Sequence, residues 1–567
     1  MNSRVFAVAI DAAEWTFLER WLDDGTMPWL ASFVDASTFA ETDNVECYRS
    51  EYIWTQLVTA QPWDVTRYWG IEHFDPKTYT STAQGPYWGS PWYAGTGLPT
   101  IVFDCPQLAV LPDIEGIQVA GWGAHGAHHP RASSPTGLLD ELDARHGPHP
   151  ALGQDFDPAW FVPGYIDALA DWCIQGARAR AEIMRELMAE RPDWRLFLTC
   201  MSEFHIVGHN FWHGIDESHP LHGHEHADHC RRRYAEVMAV VDEEMGRVVE
   251  SLDDEVDVMV FALHGMWGAD DALSMALVPE LVARLETGAA RLRVDNDRDA
   301  WVSRGCPPVV PDSSKMWAAN TWMRDRYASS MPDRVKTVAR RLLPERVFER
   351  IKTVAGREPS LESGTPTPVP PETRLTPAEI RDQELAHESV EWQAACWYRD
   401  LFPTMRYFAL PTFTDIHLRI NLKGREANGL VDPADYEAVC DEAIAEMQRI
   451  IDPRTGASPI RSVHRVRADD PMAEPGPDAD IMMVIDCPTD SLWHPAVGML
   501  GPIPFQRTGA HSPHGWLAAR GPSFEPEHLT ERRPAADIAR TMIDILGVEP
   551  PPGAEGVSLP RRANATS

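Results

Sequence analysis

The sequence predicts an α/β fold, in which a mostly parallel central sheet is flanked by helices and carries a helical insertion and a small α+β subdomain. Three observations predict it. Short apolar runs typical of buried strands alternate with helix-forming stretches in the first half of the chain. Polar side chains directly follow several of these runs, at the strand ends where ligands bind in open α/β sheets. A basic and Pro-rich stretch then interrupts this pattern before regular structure resumes.

The first half of the chain supplies most of the predicted sheet. Its apolar runs predict four strands, at Phe6–Ile10, Thr100–Phe103, Trp194–Cys200 and Val256–Leu263. Its helix-forming stretches predict helices near Trp15–Leu22, Tyr165–Ala189 and Arg231–Leu252. Strands that alternate with helices indicate a parallel sheet covered on both faces.

The second half divides differently. Basic helical sequence followed by a Pro/Ser/Thr-rich linker predicts an insertion over 301–385, which separates the first part of the core, 1–300, from its completion, 386–550. Regular structure is predicted to resume from Phe408, with the strand Ile416–Leu422, a helix across Pro433–Ile451 and the strand Ala479–Ile485. A small α+β subdomain is expected at about 414–475. Residues 551–567 are expected to form a disordered tail.

Composition narrows the class of partner. The chain has 567 residues, with 51 basic and 85 acidic side chains and a net charge of −34. This charge argues against nucleic-acid polymers and anionic membranes as partners, because phosphate backbones require a positive surface. The nine Cys show no CxxC spacing, and no apolar run is long enough for a membrane span or a signal-peptide core. We therefore expect a cytoplasmic protein, and this charge does not exclude a small anionic substrate.

The most informative stretch is Ser202–His213, SEFHIVGHNFWH, directly after a predicted strand. It places His205 and His209 four residues apart, so that both imidazoles lie on one helical face and can bind one metal ion. For an isolated HxxxH, an ordinary pair of core or surface histidines is an equal alternative.

Four other residues are candidates by position. Asp11 and His264 each follow a predicted strand, whereas His511 lies between turn residues and Ser50 precedes a predicted helix. A helix start favours an anion, so Ser50 could lie at a phosphate. Each also has a structural interpretation: Ser50 as an N-cap, His264 as a hydrogen-bonded core residue and His511 as a loop histidine.

Taken together and in order, these segments resemble the alkaline phosphatase superfamily, in its type I phosphodiesterase/nucleotide pyrophosphatase branch. The family's nucleophile lies ten residues before the glycine of a W-T-x-x-x-T-G segment, which here points to Ser50. The matching segments are Asp11-Ala12, Trp54-Thr55 with Thr59, Glu203 to Trp212, His264-Gly265 and Gly509–Gly515. Several positions depart from the family pattern. His205 and Leu263 stand where it has aspartates, Ala60 stands at its glycine, and Ser50 stands where it usually has threonine.

The resemblance implies two metal sites, which we expect to bind Zn²⁺, with Mn²⁺ as an alternative. One is formed by His205, His209 and His511, and the other by Asp11, Ser50 and His264. Because Leu263 cannot bind a metal, the second site is expected to be weak or absent unless a nearby carboxylate replaces the lost one. Asp270 and Asp271 are the candidates for that replacement.

The resemblance also implies the chemistry: a metal-dependent phosphoester hydrolase, of phosphodiesterase/nucleotide pyrophosphatase type, that forms a covalent phospho-serine on Ser50. Two alternatives stay open, a transferase that uses the same site and a catalytically silent zinc-binding protein. A sulfatase is disfavoured because the chain lacks C/S-x-P-x-R at this place.

Two further groups of histidines are ambiguous. The loop His219–His229 favours a mobile rim or an adventitious metal binder. His125, His128 and His129 are expected either to line the pocket or to be plain loop residues.

Overall fold

A computed structural model describes residues 3–47, 52–70, 72–83, 87, 89–123, 131–154, 159–292, 298–311, 390, 393–467 and 470–562. Of the predicted insertion over 301–385, only residues 301–311 are therefore described. Ser50 and the stretch that contains His125, His128 and His129 also lie outside the described residues.

The strands are numbered along the described chain. They are β1 (Arg4–Ile10), β2 (Thr38–Asp43), β3 (Glu72–Asp75), β4 (Thr80–Ala83), β5 (Thr100–Phe103), β6 (Gly116–Ala120), β7 (Ala132–Ser134), β8 (Leu196–Met201), β9 (Val256–Ala262), β10 (Gly265–Gly268), β11 (Tyr407–Ala409), β12 (Ile416–Ile420), β13 (Ile460–Arg465), β14 (Ile481–Ile485), β15 (Leu492–His494), β16 (Gly498–Leu500), β17 (Gly509–Ser512), β18 (His514–Arg520), β19 (Glu527–His528) and β20 (Arg533–Pro534).

The α-helices are numbered in the same way. They are α1 (Trp15–Asp23), α2 (Pro28–Asp35), α3 (Ile53–Thr59), α4 (Trp63–Thr66), α5 (Leu138–His146), α6 (Pro163–Glu190), α7 (Glu203–Ile215), α8 (Ala227–Val249), α9 (Val278–Thr287), α10 (Arg298–Ser303), α11 (Tyr436–Met447) and α12 (Ala536–Leu546). A π-helical turn, Ala272–Leu277, leads into α9. Within the described part of the chain, no helix has the length and apolarity needed to cross a membrane.

The central sheet confirms the predicted fold class. It has ten strands in the order β19-β2-β18-β9-β1-β8-β5-β6-β7, with β20 beside β2. The core strands β9, β1, β8, β5 and β6 are parallel to one another. Nearly every residue of these strands is buried, and helices such as α6, α8 and α12 cover the sheet. The long apolar runs in the sequence reflect this burial on both faces.

The sheet also contains a strand that the sequence did not predict. β18 runs antiparallel between β9 and β2, so the chain returns to the middle of the sheet after more than two hundred residues. Its pairing with β9 brings the C-terminal part of the chain to the carboxyl ends of the parallel strands.

The carboxyl edge of the sheet gathers the polar residues that follow each strand. In the register of β1, Ile10 pairs with Met201 of β8, and Ala9 pairs with Phe261 of β9. Asp11, Ser202 and His264 consequently follow the ends of three adjacent strands. The candidate metal-binding residues described below lie at this edge.

The second half of the chain forms a separate antiparallel sheet, β11-β12-β14-β13, against which α11 packs. Its strands lie between Tyr407 and Ile485, which is a longer segment of the chain than the predicted 414–475. Leu281 of α9 and Phe408 of β11 belong to one apolar cluster, which joins this sheet to the rest of the structure. The domain boundaries themselves stay a prediction.

The predicted disordered tail is wrong for residues 551–562. Leu559 is 2% exposed, and its backbone N–H donates to Thr541 Oγ1 at 2.9 Å. The Val557 N–H likewise donates to Asp537 Oδ1 at 2.7 Å. The Pro/Gly-rich composition of the segment prevents helix and strand, but side chains of α12 bind its backbone. Residues 563–567 lie outside the described residues.

Candidate metal centre

Five of the six residues proposed for the site lie together at the carboxyl edge of the central sheet. They are Asp11, His205, His209, His264 and His511, and each is at most 8% exposed. Their nitrogen and oxygen atoms form two groups of three, with the atoms of each group within 4.8 Å of one another. The sixth residue, Ser50, lies outside the described residues; α3 begins three residues after it, at Ile53.

The first group consists of His205, His209 and His511. His205 and His209, which we call the His pair, lie on α7, whose residues are all buried. Their Nε2 atoms are 2.9 Å apart, and the ring centroid of His511 lies 4.8 and 5.1 Å from theirs. Helical spacing of four residues explains the pair, whereas the third imidazole comes from three hundred residues further along the chain.

His511 reaches the pair through a β-ribbon. β17 pairs antiparallel with β10, with Met266 opposite His511. The ribbon approaches α7 closely because two glycines face each other there: a Cβ on Gly509 would lie 2.5 Å from the Gly208 carbonyl oxygen. A side chain at this position would therefore separate His511 from the His pair.

Hydrogen bonding fixes the ring orientation of His209. Its Nδ1 lies 2.7 Å from the Gly509 carbonyl oxygen, which can only accept, so Nδ1 carries the hydrogen and donates. In the neutral ring, the Nε2 lone pair then faces His205 Nε2. A backbone carbonyl that accepts from one ring nitrogen, and so leaves the other nitrogen as an acceptor, is the usual arrangement of a metal-binding histidine.

The second group consists of Asp11, His205 and His264. His264 Nδ1 donates to the Gly265 carbonyl oxygen at 3.0 Å, and its Nε2 is 3.4 Å from Asp11 Oδ1. The other carboxylate oxygen of Asp11 is 3.1 Å from His205 Nδ1. His205 thus presents one nitrogen to each group.

A cation would bring the donor atoms of both groups into favourable contact. In neutral His264 the Nε2 lone pair faces Asp11 Oδ1 at 3.4 Å, whereas His205 Nε2–H can donate to His209 Nε2 at 2.9 Å. Facing acceptors repel unless a proton or a metal ion lies between them. Burial, with the neighbouring His264, His205 and His209, lowers the pKa of His511 well below its ordinary value, which keeps its lone pair available at neutral pH. The donor set of three imidazoles fits Zn²⁺.

Leu263, which stands at the family's aspartate, is buried in the apolar cluster that includes Phe261 and Leu517. Among the described residues, the proposed replacements Asp270 and Asp271 belong to neither group. β10 carries the chain away from His264 before they occur, and Asp271 instead binds Arg507 through two hydrogen bonds of 2.7 and 3.0 Å.

Ala60, at the position of the family's glycine, ends α3 in the left-handed conformation with φ of 54°. Glycine is favoured in this conformation, which explains why the family pattern has one there. The alanine keeps the turn at a cost of about 1 kcal/mol in backbone strain.

The predicted mobile rim at His219–His229 is wrong. His219 is 3% exposed, with its ring centroid 4.9 Å from that of Phe505, and Leu221 is buried in the cluster around Trp160. Sequence analysis missed this packing because the aromatic partners come from distant segments. No group of three metal-binding side chains occurs in this loop among the described residues.

Sequence analysis also missed the residues beneath α7. Arg180, on α6, contacts Asp104 and Glu203, and all three are fully buried. A possible signal was an arginine within the helical stretch Tyr165–Ala189 on the same face as buried alanines, but a single sequence does not distinguish it from a surface arginine.

Comparison with known proteins gives structural similarity only. No family model matches the chain, and no curated protein matches it. Among solved structures, murine ectonucleotide pyrophosphatase/phosphodiesterase 5, an inactive variant in complex with AMP, is similar at 12% identity with a TM-score of 0.45, covering 98% of this chain and 97% of that one. Phosphonoacetate hydrolase from Sinorhizobium meliloti 1021, in complex with phosphonoacetate, is similar at 12% identity with a TM-score of 0.43, covering 96% and 95%. Because these identities and TM-scores are low, the functional interpretation rests on the side chains of the site.

Proposed function

We propose that the chain is a metal-dependent hydrolase of phosphoesters, of the phosphodiesterase/nucleotide pyrophosphatase type, and a member of the alkaline phosphatase superfamily. The observation that carries this proposal is the convergence of His205, His209 and His511 beside Asp11 and His264. The five residues come from four separate segments, whose order along the chain is the order of the motifs that resemble the family.

The metal is proposed to be Zn²⁺ held by the His pair and His511. When bound, it supplies positive charge that activates an attacking oxygen and neutralises charge that develops on the phosphoryl group. Around it, the Gly509 carbonyl orients His209, and Asp11 lies on the far side of His205. Both contacts would keep the imidazoles in place when substrate arrives.

Ser50 is proposed as the nucleophile. The sequence resemblance carries this role, and the start of α3 three residues later supports it, because backbone N–H groups at a helix start favour an anionic phosphate. The serine oxygen would attack phosphorus in line, the leaving alcohol or phosphate would depart with the ester oxygen, and water would then cleave the phospho-serine. Each step is a displacement that needs no oxidant or reductant.

The number of metals is proposed to be one tight ion, with a weak second ion or none. Asp11 is the only carboxylate in the two groups, and Leu263 supplies no donor. Two divalent ions beside a single carboxylate repel each other strongly, because burial reduces the screening between them.

The experiment is turnover of a nitrophenyl phosphodiester and of the matching monoester by the zinc-loaded protein. We expect diester cleavage that exceeds monoester cleavage. Ser50→Ala should abolish turnover but retain zinc, whereas Ser251→Ala, at the end of α8, should behave like the wild type. Turnover by Ser50→Ala at the wild-type rate contradicts the nucleophile, and a wild-type protein that neither binds zinc nor cleaves either ester contradicts the whole proposal.

A catalytically silent zinc-binding protein is the second candidate. The burial of Leu263 in the apolar core favours it, because the family's second metal loses a ligand there. One zinc per chain with no cleavage of either ester supports this candidate. Cleavage that requires an added acceptor alcohol supports a transferase that uses the same site.

A further inference from the structure

A buried ionic cluster lies beneath the first turn of α7 and contributes no ligand to the metal centre. It combines an arginine, two carboxylates, a hydroxyl and an imidazole; its members are Asp104, His149, Arg180, Ser202 and Glu203. None is more than 2% exposed. Because removing a charge from water costs several kcal/mol, such a cluster requires close pairing of every member.

Arg180 stands at the centre of the cluster. Its guanidinium donates from three nitrogens to three acceptors: Nη1 to Asp104 Oδ2 at 2.6 Å, Nε to Glu203 Oε1 at 3.0 Å and Nη2 to Ser202 Oγ at 2.9 Å. The planar fork of an arginine fixes the relative positions of its acceptors in a way that a lysine cannot. One side chain of α6 therefore connects the residue that follows β5 with the two residues at the start of α7.

Asp104 extends the cluster to the neighbouring strands. It follows β5 with φ of 56°, and its two oxygens accept from the backbone N–H groups of Trp122 and Gly123 at 2.7 and 2.9 Å. Ser202 Oγ in turn donates to the Gly123 carbonyl oxygen at 3.2 Å. The carboxyl ends of β5, β6 and β8 are thus joined through one guanidinium.

Glu203 completes the cluster on the other side. Burial alone would raise its pKa, but the charge of Arg180 and the hydrogen bond with His149 together outweigh burial and hold the pKa at about 2. His149 Nε2 lies 3.1 Å from Glu203 Oε1. The imidazole fits because Gly176, one turn before Arg180 on α6, has no side chain to collide with it.

The cluster acts on the first two residues of the metal-binding helix. Ser202 is the N-cap of α7 and Glu203 is its first residue, so the His pair follows within two turns. The direction of a helical side chain is set by the rotation of the helix about its axis. Metal sites lose affinity when ligands move by more than about 0.5 Å.

We propose that Arg180 is a positioning residue of the metal centre: by binding Ser202 and Glu203 it fixes the rotation of α7 that directs the His pair toward His511. This inference rests on the proposed function, since it assumes that these imidazoles bind zinc. A residue that contributed only to stability would not change the zinc affinity of the folded protein or the geometry of the ligands.

The chain offers a matched control on its second sheet. Arg425 is equally buried, donates to both oxygens of Asp480 at 2.7 Å and contacts Glu426 at 2.9 Å. A lysine at either arginine keeps one positive charge but offers one nitrogen in place of the fork. The two substitutions should therefore cost similar stability, and only one of them lies under the metal-binding helix.

The experiment compares Arg180→Lys, Arg425→Lys and the wild type. Zinc affinity is measured by competition with a chelator, stability by urea unfolding of the metal-free protein, and ligand geometry by the visible absorption of the Co²⁺-substituted protein. We expect Arg180→Lys to bind zinc about 10- to 100-fold more weakly, the range for losing an outer support of a metal ligand, and to alter the Co²⁺ spectrum. Arg425→Lys should keep wild-type affinity and spectrum.

Three outcomes overturn the inference, and a fourth contradicts the proposed function. Wild-type zinc affinity in a folded Arg180→Lys protein overturns the inference, and so does an equal loss in both variants. If Arg180→Lys does not fold, Ser202→Ala removes one contact without unpairing a charge; it should weaken zinc binding severalfold relative to Ser251→Ala, and unchanged binding overturns the inference. Absence of zinc binding by the wild type instead contradicts the proposed function.

Discussion

The close approach of α7 and β17 makes Gly509→Ala the sharpest test of how the metal centre is assembled. A Cβ at this position would lie 2.5 Å from the Gly208 carbonyl oxygen and 2.6 Å from Met266 Sδ. Ordinary contact begins at 3.4 Å, so the ribbon and the helix must separate by about 0.9 Å. The Met266 side chain can rotate away, but the backbone oxygen cannot.

That separation exceeds the tolerance of about 0.5 Å for a metal site. It moves His511 away from the His pair and stretches the 2.7 Å hydrogen bond between His209 Nδ1 and the Gly509 oxygen. We expect zinc affinity to fall about 10- to 100-fold, which corresponds to about 1.4 to 2.8 kcal/mol.

The assay is chelator competition for zinc, with urea unfolding of the metal-free protein beside it. Gly246→Ala is the matched control. Its Cβ would lie 2.9 Å from the Trp29 ring on α2, a helix that carries none of the candidate metal-binding residues, so it should cost stability without affecting zinc. Zinc binding by Gly509→Ala that equals the wild type, or a loss shared by Gly246→Ala, would refute the idea that the glycine contact sets the ligand geometry.

Three further predictions concern individual side chains. His209→Ala should leave no zinc after dialysis, whereas His264→Ala should retain it, because His264 belongs only to the group that contains Asp11. Zinc analysis by mass spectrometry checks this, and loss of zinc from both variants would contradict two separate groups. Leu263→Asp should raise the amount of tightly bound zinc above that of the wild type, because it restores a carboxylate. It should also lower the free energy of unfolding of the metal-free protein by about 2–5 kcal/mol, because it places a polar group in an apolar cluster. Metal analysis and urea unfolding check both effects, and unchanged metal content would count against the resemblance at this position. Burial, aided by neighbouring histidines, lowers the pKa of His213 to about 3, below its ordinary 6.5, so the unfolded chain binds the proton first and stability falls as pH drops below 6.5. His213→Phe should flatten that slope by up to about 1.4 kcal/mol per pH unit between pH 6.5 and 4, in urea unfolding at several pH values, and an unchanged slope would show that His213 is not buried in its neutral form.

Local sequence was sufficient to predict the elements that carry the site. β1, β5, β8 and β9 are apolar runs buried on both faces, and their ends differ from the predicted ends by at most a few residues. The helical position of the His pair follows from the spacing of four residues alone. Asp11 and His264 could be predicted because each directly follows one of these strands.

Other features could not be predicted, because their partners are distant in the chain. The insertion of β18 into the sheet, and with it the place of His511, depends on pairing with β9. The burial of His219 depends on Phe505, and the binding of Asp271 by Arg507 removes it from the site. No local pattern encodes such contacts, since residue type alone does not show that a histidine, an aspartate or an arginine is buried.

The sequence by itself determined which residues have metal-binding chemistry and which strands place them at one edge. The tertiary structure decided how they are oriented. The Gly509 carbonyl selects the tautomer of His209, and Arg180 ties the first turn of α7 to the strand ends. The physical reason is that ligand identity is a property of single side chains, whereas orientation to within a fraction of an ångström depends on backbone contacts between segments that meet only in the fold.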